Sequence, residues 1–457
     1  MNRLLRVAGQ EKPAATGQRV LLWLVLVFMV GTLGAGQGNH PASAPARAQS
    51  PEQHLPGQPS RAVGDQSPAP TPTAHVAGVL RTLPLGINAA ALAVDEQAQR
   101  VFIAMQGVPV GGCGRYAPMT QGSVAVLNSG TGALLRTVPL HTCPGAIAVD
   151  SRAGHVFVVA GPNGVVTMLD AVTGAVLRTI PVGPHAAALA VDEAVGRVFV
   201  ANGADADLPK GSVTVLNSAT GDLLRTVPIT GAPLSLAVVP STQRVFVSAA
   251  MYPHGAVTVL DAHSGAVLRV VQGSQDVEAV AARAGRVYVV EGSGQHTRAL
   301  DATTGAVLAT LSGTGYFTRL AAVDERTNHI FTLLANAYDT TMIDAATGAL
   351  LHTTRLVGKG SLGIAIDAQT SRAFVGSVGR PGGNTVGVLD TRSGALLCTI
   401  PVGLYPSLLA VDERAGHAFV VNRATAGPDP RTRSTVTVLD AASPCPLARV
   451  SSGSTGA

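Results

Sequence analysis

The chain contains 457 residues, of which 46% are hydrophobic and only 13% are charged, and its formal net charge is +5. A wholly disordered chain is excluded, because disorder requires low hydrophobicity and high charge. A polytopic membrane protein is also excluded, because only residues 20–33 form an apolar run that approaches the length of a membrane span. Lysine and arginine form no cluster in the sequence, so we do not expect a nucleic-acid partner.

The first predicted element is a hydrophobic helix near the N-terminus. Basic residues precede the apolar residues 20–33, and this order of charge and hydrophobicity is typical of an export signal. Residues 1–35 therefore form either a cleaved signal peptide or an uncleaved membrane anchor, and the sequence leaves both open. Residues 36–75 are rich in Pro, Ala and Ser and show no periodicity, which predicts a disordered linker. The folded domain is expected at residues 76–457.

After residue 75 the sequence repeats one unit eight times. Each unit contains a segment similar to Val-Leu-Asp-Ala-x-Thr-Gly-Ala-Val-Leu-Arg-Thr, and seven copies have the Gly four residues after the Asp or Asn. An Asx side chain that caps the backbone, followed by a Gly with positive φ, is typical of a turn between two strands. The Asx positions are Asn128, Asp170, Asn217, Asp261, Asp301, Asp344, Asp390 and Asp440.

A second marker of the repeat is a strand of the type Arg-Val-Phe-Val, which also occurs eight times. Its aromatic residues are Phe102, Phe157, Phe199, Phe246, Tyr288, Phe331, Phe374 and Phe419. Each unit reads as four short strands, which we term a, b, c and d in chain order. A four-stranded unit of 40–50 residues repeated in series predicts a blade of a β-propeller. We therefore predict an all-β, eight-bladed propeller, with seven blades as the second choice if the irregular unit at residues 272–301 forms no blade.

The two ends of the repeat array differ from the template. The last copy has Pro444 in place of the turn glycine and continues as a poor d strand, because proline removes donors from a strand ladder. Residues 78–85 resemble a d strand that precedes the first copy. We therefore predict that these residues supply strand d of the last blade, which closes the ring and removes its open edges.

Several segments of the repeat carry a family signature. They are Phe-Val-Ala-Asn at 199–202, Phe-Val-Val-Asn at 419–422, Ser-Val-Thr-Val-Leu at 212–216, and Thr-Ile-Pro-Val-Gly at 179–183 and 399–403. These segments resemble the YVTN-type β-propeller repeat family, which is similar to surface-antigen and surface-layer propellers. The resemblance implies the propeller fold but no single activity, since such relatives include binding modules, lactone-hydrolysing enzymes and quinone- or haem-linked dehydrogenase subunits. Quinone-dependent propellers carry docking tryptophans, whereas the only Trp here is Trp23.

The aromatic residues outside the strand-b position fall in the d–a and b–c loops, which share one face of a propeller. These loops vary, whereas the a–b and c–d turns follow the template, so we predict the binding surface on the d–a/b–c side, which we call the loop face. Exposed aromatic side chains on variable loops are candidate contact residues, and local loop packing is the alternative. The candidates are Tyr116, Tyr252, Tyr316, Phe317, Tyr338 and Tyr405, together with His141 and His185.

Long b–c loops occur at residues 105–121, 203–210, 377–384 and 423–434. Three of them belong to the first, seventh and eighth units, which are neighbours in a closed ring. We therefore expect long loops to be concentrated at that part of the loop face. The histidines show no spacing typical of a metal site, and the repeated Asp residues are explained by turn capping. The sequence accordingly predicts no metal and no cofactor.

Four cysteines in an exported chain permit two disulfides. Cys113 and Cys143 are expected on the same face and form one candidate pair, while Cys398 and Cys445 form the other. Free thiols are the alternative.

The sequence contains no nucleophile elbow, phosphate-binding loop or zinc-protease motif, so no catalytic residue is assigned. We predict an exported, monomeric, non-catalytic propeller at the cell surface or in a periplasm-like space. Its loop face would bind an unidentified protein, polymer or small molecule. One alternative is a hydrolase or lyase of the lactonase type, which needs Glu, His, Asp or Asn at the mouth of the central channel, where the inner strands are apolar. Another is a structural component of a surface layer.

Overall fold

The computed structural model of the protein describes residues 78–107, 122–161, 164–203, 210–250, 254–273, 277–283, 285–291, 296–312, 318–334, 339–356, 361–379, 384–423 and 433–445. The secondary structure of these residues consists of 32 β-strands, with no α-helix among them. The N-terminal signal or anchor and the linker lie outside this set. Within the described stretches there is no helix with the length and apolar character that a membrane crossing requires.

The strands form eight separate antiparallel sheets of four strands each. Blades 1 to 4 comprise β2 (Ala89–Asp95), β3 (Arg100–Met105), β4 (Ser123–Asn128) and β5 (Leu134–Pro139); β6 (Ala146–Asp150), β7 (His155–Ala160), β8 (Val165–Asp170) and β9 (Val176–Pro181); β10 (Ala186–Asp192), β11 (Arg197–Asn202), β12 (Lys210–Asn217) and β13 (Leu223–Thr230); and β14 (Ala232–Val239), β15 (Arg244–Ala250), β16 (Ala256–Asp261) and β17 (Val267–Gln272).

Blades 5 to 8 continue the same order, except that the last blade takes its fourth strand from the N-terminal end of the domain. They comprise β18 (Val277–Arg283), β19 (Arg286–Glu291), β20 (His296–Asp301) and β21 (Val307–Ser312); β22 (Thr318–Asp324), β23 (His329–Leu334), β24 (Asp339–Asp344) and β25 (Leu350–Arg355); β26 (Ser361–Asp367), β27 (Arg372–Ser377), β28 (Thr385–Asp390) and β29 (Leu396–Pro401); and β30 (Pro406–Asp412), β31 (His417–Asn422), β32 (Thr435–Asp440) and β1 (Val79–Pro84). The irregular unit forms blade 5, so the prediction of eight blades is confirmed and the seven-blade alternative is wrong.

The blades form a closed ring. Strand a is the innermost strand of each blade and contacts strand a of the next, from β2 around to β30 and from β30 back to β2. Each blade therefore buries both of its faces against neighbours, which explains why the inner strands are continuously apolar rather than alternating.

The predicted closing strand is confirmed. Strand β1 pairs antiparallel with β32, with Thr82 opposite Thr437. The N–H of Asp440 donates to the carbonyl oxygen of Gly78 over 2.9 Å, and the N–H of Asp170 makes the same bond with the carbonyl oxygen of Ala175 within blade 2. The N-terminal segment thus occupies the register that strand d has in a continuous blade.

A disulfide links the last two blades. Cys398 in strand d of blade 7 is bonded to Cys445, which follows the turn of blade 8, with 5.7 Å between the Cα atoms. The equivalent position in blade 2 is Arg178, whose guanidinium donates to the carbonyl oxygen of Thr220 in the next blade over 2.9 Å. The disulfide therefore replaces a polar contact between neighbouring blades. Cys143 is also disulfide-bonded, and its predicted partner Cys113 lies outside the described residues.

The strand-b aromatic residues are the largest buried side chains of the described domain. Phe199 is completely buried and belongs to an apolar cluster that combines residues of blade 3, such as Val215, with residues of blade 4, such as Val245. A second cluster joins blades 8 and 1 in the same way. The hydrophobic core is thus a series of layers between blades.

We expect Phe199→Ala to lower the free energy of unfolding by about 3–5 kcal/mol, because truncating a buried aromatic residue leaves a cavity between two blades. The matched control is Leu224→Ala in strand d of the same blade, where the side chain is 46% exposed, and its cost should stay below about 1 kcal/mol. Chemical denaturation measures both. A cost for Phe199→Ala as small as that of the control would contradict the layered core.

Removing the disulfide with Cys398→Ser or with Cys445→Ser should lower the free energy of unfolding by about 2–4 kcal/mol, because the bond restricts the unfolded chain. The two single variants and the double variant should lose the same amount, since each removes the same bond. Denaturation of the wild type with and without reductant provides the comparison. Unchanged stability of the single variants would show that the bond does not contribute.

Candidate functional site

The inner strands begin at the loop face, where two loops of the same blade meet. In blades 1, 3 and 8 the residue before strand a has a left-handed backbone. These residues are Asn88 (φ 53°), His185 (φ 52°) and Tyr405 (φ 54°). Their carbonyl oxygens accept the N–H of the residue after strand b over 2.9–3.0 Å; the donors are Gln106, Gly203 and Arg423. We call these six positions the loop-face mouth.

A hydrogen-bonded side-chain network crosses the seam between blades 8 and 1 at this mouth. The Nε atom of Arg423 donates to the carbonyl oxygen of Ala89 over 2.9 Å, and its Nη2 atom donates to Oδ1 of Asn88 over 3.2 Å. The Nδ2 atom of Asn88 in turn donates to Oε1 of Gln106. Asn88 is almost completely buried, whereas Gln106 and Arg423 are half-buried. Burial lowers the pKa of the Arg423 guanidinium.

Ser434 fixes the position of this network. Its Oγ atom accepts the N–H of Ala89 over 3.2 Å. Its backbone pairs with the segment that leads into blade 1, through Leu85 N–H to Ser434 O at 2.7 Å and Ser434 N–H to Gly86 O at 3.1 Å. Both polar backbone groups of Ala89 therefore have partners from blade 8, and the start of the first inner strand is held rigidly.

Tyr405 lies beside the network and is the predicted aromatic candidate that the described residues include. Its side chain is 40% exposed, and the neighbouring Leu404 is 56% exposed. The N–H of Tyr405 donates to Oδ1 of Asn384 in blade 7 over 3.1 Å. Blades 7, 8 and 1 thus all contribute to this part of the loop face, where the sequence places its long b–c loops.

The histidine candidates do not occupy equivalent positions. His185 directly precedes strand β10 and packs against Gly203, whereas His141 is exposed and lies five residues before strand β6. In the part of the chain that the structure describes, no three His, Cys, Asp or Glu side chains are placed to hold a metal ion. The candidates Tyr116, Tyr252, Tyr316, Phe317 and Tyr338 lie outside the described residues.

The opposite end of the inner strands carries a feature that the sequence analysis missed. Six of the eight inner strands end at a buried aspartate. Its carboxylate accepts hydrogen bonds from backbone N–H groups of the a–b turn that follows. These residues are Asp95, Asp150, Asp192, Asp324, Asp367 and Asp412. The sequence signal is the segment Ala-Val-Asp-Glu, which occurs at residues 93–96, 190–193, 322–325 and 410–413.

Glutamates that follow these aspartates connect adjacent blades. An Oε1 atom of Glu96 in blade 1 accepts the N–H of Glu413 in blade 8 over 2.9 Å. Glu413 accepts the N–H of Ala368 in blade 7 over 2.8 Å, and Glu193 in blade 3 accepts the N–H of Ser151 in blade 2 over 2.8 Å. We call these glutamates and the six aspartates the carboxylate collar.

Burial shifts the titration of two collar glutamates. The pKa of Glu96 is raised to about 7, mainly by burial and also by the carboxylates of Asp412 and Glu413, while the Glu413 N–H and Arg414 oppose the shift. Burial also raises the pKa of Glu193, with a contribution from Asp150. Protons therefore bind to Glu96 and Glu193 more tightly than to ordinary glutamates.

Comparison with known proteins gives a family and a fold. A family model described as outer membrane protein assembly factor BamB matches residues 120–268 and 209–402, which together span more than half of the chain. No curated protein matches it. The crystal structure of the computationally designed Ika8 protein has a TM-score of 0.58 at 17% identity, covering 80% of this chain and 100% of that chain. Dihydro-heme d1 dehydrogenase NirN in complex with DHE has a TM-score of 0.60 at 12% identity, covering 80% and 76%. At these identities the two structures show the fold alone.

The free energy of unfolding should fall as the pH rises toward 7. The pKa of Glu96 is raised to about 7 from an ordinary 4.5, so its stabilising contribution is fully present below pH 4.5 and is lost as the pH passes the folded value. Glu96→Gln keeps the oxygen acceptor and removes the charge. We expect it to stabilise the chain at pH 8 by about 1 kcal/mol, a value discounted for partial solvent exposure.

The control is Glu325→Gln, which changes an exposed glutamate at the same position of blade 6. The free energy of unfolding of this variant should depend on pH in the same way as that of the wild type. Thermal or urea denaturation between pH 4 and pH 9 measures all three proteins. If the free energy of unfolding of Glu96→Gln changed with pH as that of the wild type does, the raised pKa of Glu96 would be contradicted.

Proposed function

This chain belongs to the family described as outer membrane protein assembly factor BamB, and on that premise we propose that it is an exported, non-catalytic β-propeller that binds a partner through its loop face. The observation that carries the proposal is the seam of blades 7, 8 and 1. There an exposed tyrosine lies next to a half-buried arginine whose position is fixed by hydrogen bonds to the neighbouring blade. Rigid aromatic and arginine side chains of this kind are typical of binding hot spots.

Export is supported by the N-terminal sequence and by a disulfide. The basic and apolar N-terminal segment is typical of a signal or an anchor, and the disulfide between Cys398 and Cys445 is a bond that persists in an oxidising compartment. The description of the matched family is consistent with a site in the cell envelope. The narrower YVTN-type assignment stays a prediction from the quoted segments.

One observation favours the alternative function, a hydrolase or lyase at the channel mouth. The carboxylate collar places Glu96, whose pKa is raised to about 7, at one end of the inner strands, and a carboxylic acid of that kind can act as a general acid or base at neutral pH. However, the collar glutamates already accept backbone N–H groups from the preceding blade. This use of their oxygens is typical of a structural role, so we place this alternative second.

The proposal predicts that a change at Tyr405 weakens binding while leaving the fold intact. Tyr405→Asn removes the exposed ring and retains a residue that tolerates the left-handed backbone, as Asn88 does in blade 1. The full chain and its variants would be tested against purified cell-wall glycan, peptidoglycan fragments and isolated envelope proteins. We expect Tyr405→Asn to weaken the binding of the recognised partner by at least about tenfold.

Arg414→Gln, an exposed change on the opposite face, is the control and should alter affinity less than about twofold. If Arg414→Gln weakened the binding of the partner and Tyr405→Asn did not, the interface would lie on the face opposite to the loop face, against the proposal. Turnover of a lactone that is lost in Glu96→Gln would favour the hydrolase alternative instead.

A further inference from the structure

The outermost strand of each blade, strand d, is an exposed edge that begins with two apolar residues. In every blade the first of them is Val or Leu and the second is Leu. In blade 5 they are Val307 and Leu308, whose side chains are 45% and 49% exposed. Within the described residues, strand d pairs with strand c alone. Its other side can therefore accept a strand from another molecule.

Seven of the eight outer strands contain an arginine, a proline or both, and these residues oppose such pairing. Arg178 in blade 2 is 47% exposed, so a second strand laid against that edge would cover a charged group. Proline removes a backbone donor from the edge. The residues concerned are Arg136 and Pro139 in blade 1, Arg178 and Pro181 in blade 2, Arg225 and Pro228 in blade 3, Arg269 in blade 4, Arg355 in blade 6, Pro401 in blade 7, and Arg81 and Pro84 in blade 8.

Strand β21 of blade 5 differs from the other seven. Its sequence is Val-Leu-Ala-Thr-Leu-Ser, with no charged residue and no proline. Ala309 stands where blades 1 to 4 have arginine, and it packs against the apolar cluster between blades 5 and 6. The ring thus has a single outer strand that combines an apolar start with no residue that opposes pairing.

We propose that two copies of this chain pair through strand β21 about a two-fold axis, so that the two sheets of blade 5 form one continuous antiparallel sheet. A two-fold axis brings each edge against the same edge of the other copy. At the edges of blades 1 to 4, it would bring two arginines together near the middle of the interface, where like charges destabilise a strand pair. At β21 two uncharged edges meet, and Val307 and Leu308 supply apolar cross-strand contacts.

The choice of a second copy as the occupant follows from this charge pattern and from the number of such edges. Because one edge in eight lacks an opposing residue, pairing of β21 with itself closes at two copies and does not continue into a filament. A strand of six residues spans about 20 Å, which makes a small interface. We therefore expect a weak dimer with a Kd of about 1–100 µM.

The dimer interface is separate from the proposed binding surface. In the order of the ring, blade 5 is four blades away from blade 1, so the seam of blades 8 and 1 stays accessible in both copies. The inference therefore goes beyond the proposed function and does not depend on it. The dimer would replace the monomer expected from the sequence.

Leu308→Lys and Leu177→Lys form a matched pair for the test. Both leucines are the second residue of a strand d and both are 49% exposed, but the edge of blade 2 already contains Arg178 and Pro181. Sedimentation velocity of the full chain over about 1–200 µM would measure self-association. We expect the wild type to dimerise as its concentration rises and Leu308→Lys to raise the Kd by at least about tenfold. Leu177→Lys should leave the Kd unchanged.

Ala309→Arg is a second variant, which gives blade 5 the residue that four other blades have at this position, so we expect it to fold. It should weaken the dimer as Leu308→Lys does, and circular dichroism would confirm that all variants are folded. Every protein compared carries the same N-terminal segment, so differences between them report on the edge. Hydrogen exchange should show that protection of residues 307–312 increases with concentration.

Three results would overturn the inference. The first is a wild type that stays monomeric over this range of concentration. The second is a dimer that survives unchanged in both Leu308→Lys and Ala309→Arg. The third is an equal loss of the dimer in Leu177→Lys, because self-association would then not depend on the edge of blade 5.

Discussion

Closure of the ring is the constraint on which the rest of the structure depends. A blade of this protein has no core of its own, because its buried aromatic and aliphatic side chains pack against the next blade. The first seven blades each take four consecutive strands and pack against the blade that follows in the chain. The eighth blade has only three strands of its own and no blade after it, so it needs a fourth strand and a neighbour from the start of the domain. Strand β1 supplies the strand, and the contact of β30 with β2 supplies the neighbour. Without both, two apolar faces and a strand edge would meet water.

The seam created by this closure is also where the chain departs from its own template. At positions that repeat, a residue has the same structural task in every blade, as the Asx turn caps and the strand-b aromatics show. At the seam, Arg423 reaches from blade 8 to the start of blade 1, and at the adjacent junction of blades 7 and 8 a disulfide replaces the strand-d arginine contact of other blades. Tyr405 and Arg423 do not occupy positions with the same residue in every blade, which is why we propose the binding function there.

The fold could be predicted from the sequence because repetition removes ambiguity. Eight copies of the Asx turn and of the buried strand-b aromatic predicted the strand order and the blade number, and the d-like strand at residues 78–85 predicted the closure. The carboxylate collar could not be predicted in the same way, because Glu96 meets the backbone of Glu413 only when the ring is closed, 317 positions apart in sequence.

The site was predicted only in part for a similar reason. Tyr405 could be found because its aromatic ring does not fit the template. Arg423 and Asn88 gave no such signal, since neither residue type is unusual in a loop. Their contact joins residues 335 positions apart, and its importance depends on a left-handed backbone at Asn88 that brings the d–a loop against the b–c loop. Local sequence patterns contain no information on either point.

The two ends of the inner strands have opposite chemical character. The loop-face mouth combines a guanidinium with amide donors, and the collar consists of carboxylates whose oxygens accept backbone N–H groups. An inner strand of seven residues such as β2 separates these ends by only about 20 Å. The strands between them are apolar, so the polar groups of the inner strands are confined to the two ends. The collar end also carries the arginines that begin strand b, such as Arg100 and Arg197. The contrast between the ends therefore lies in their hydrogen-bonding groups and is not a simple separation of charge.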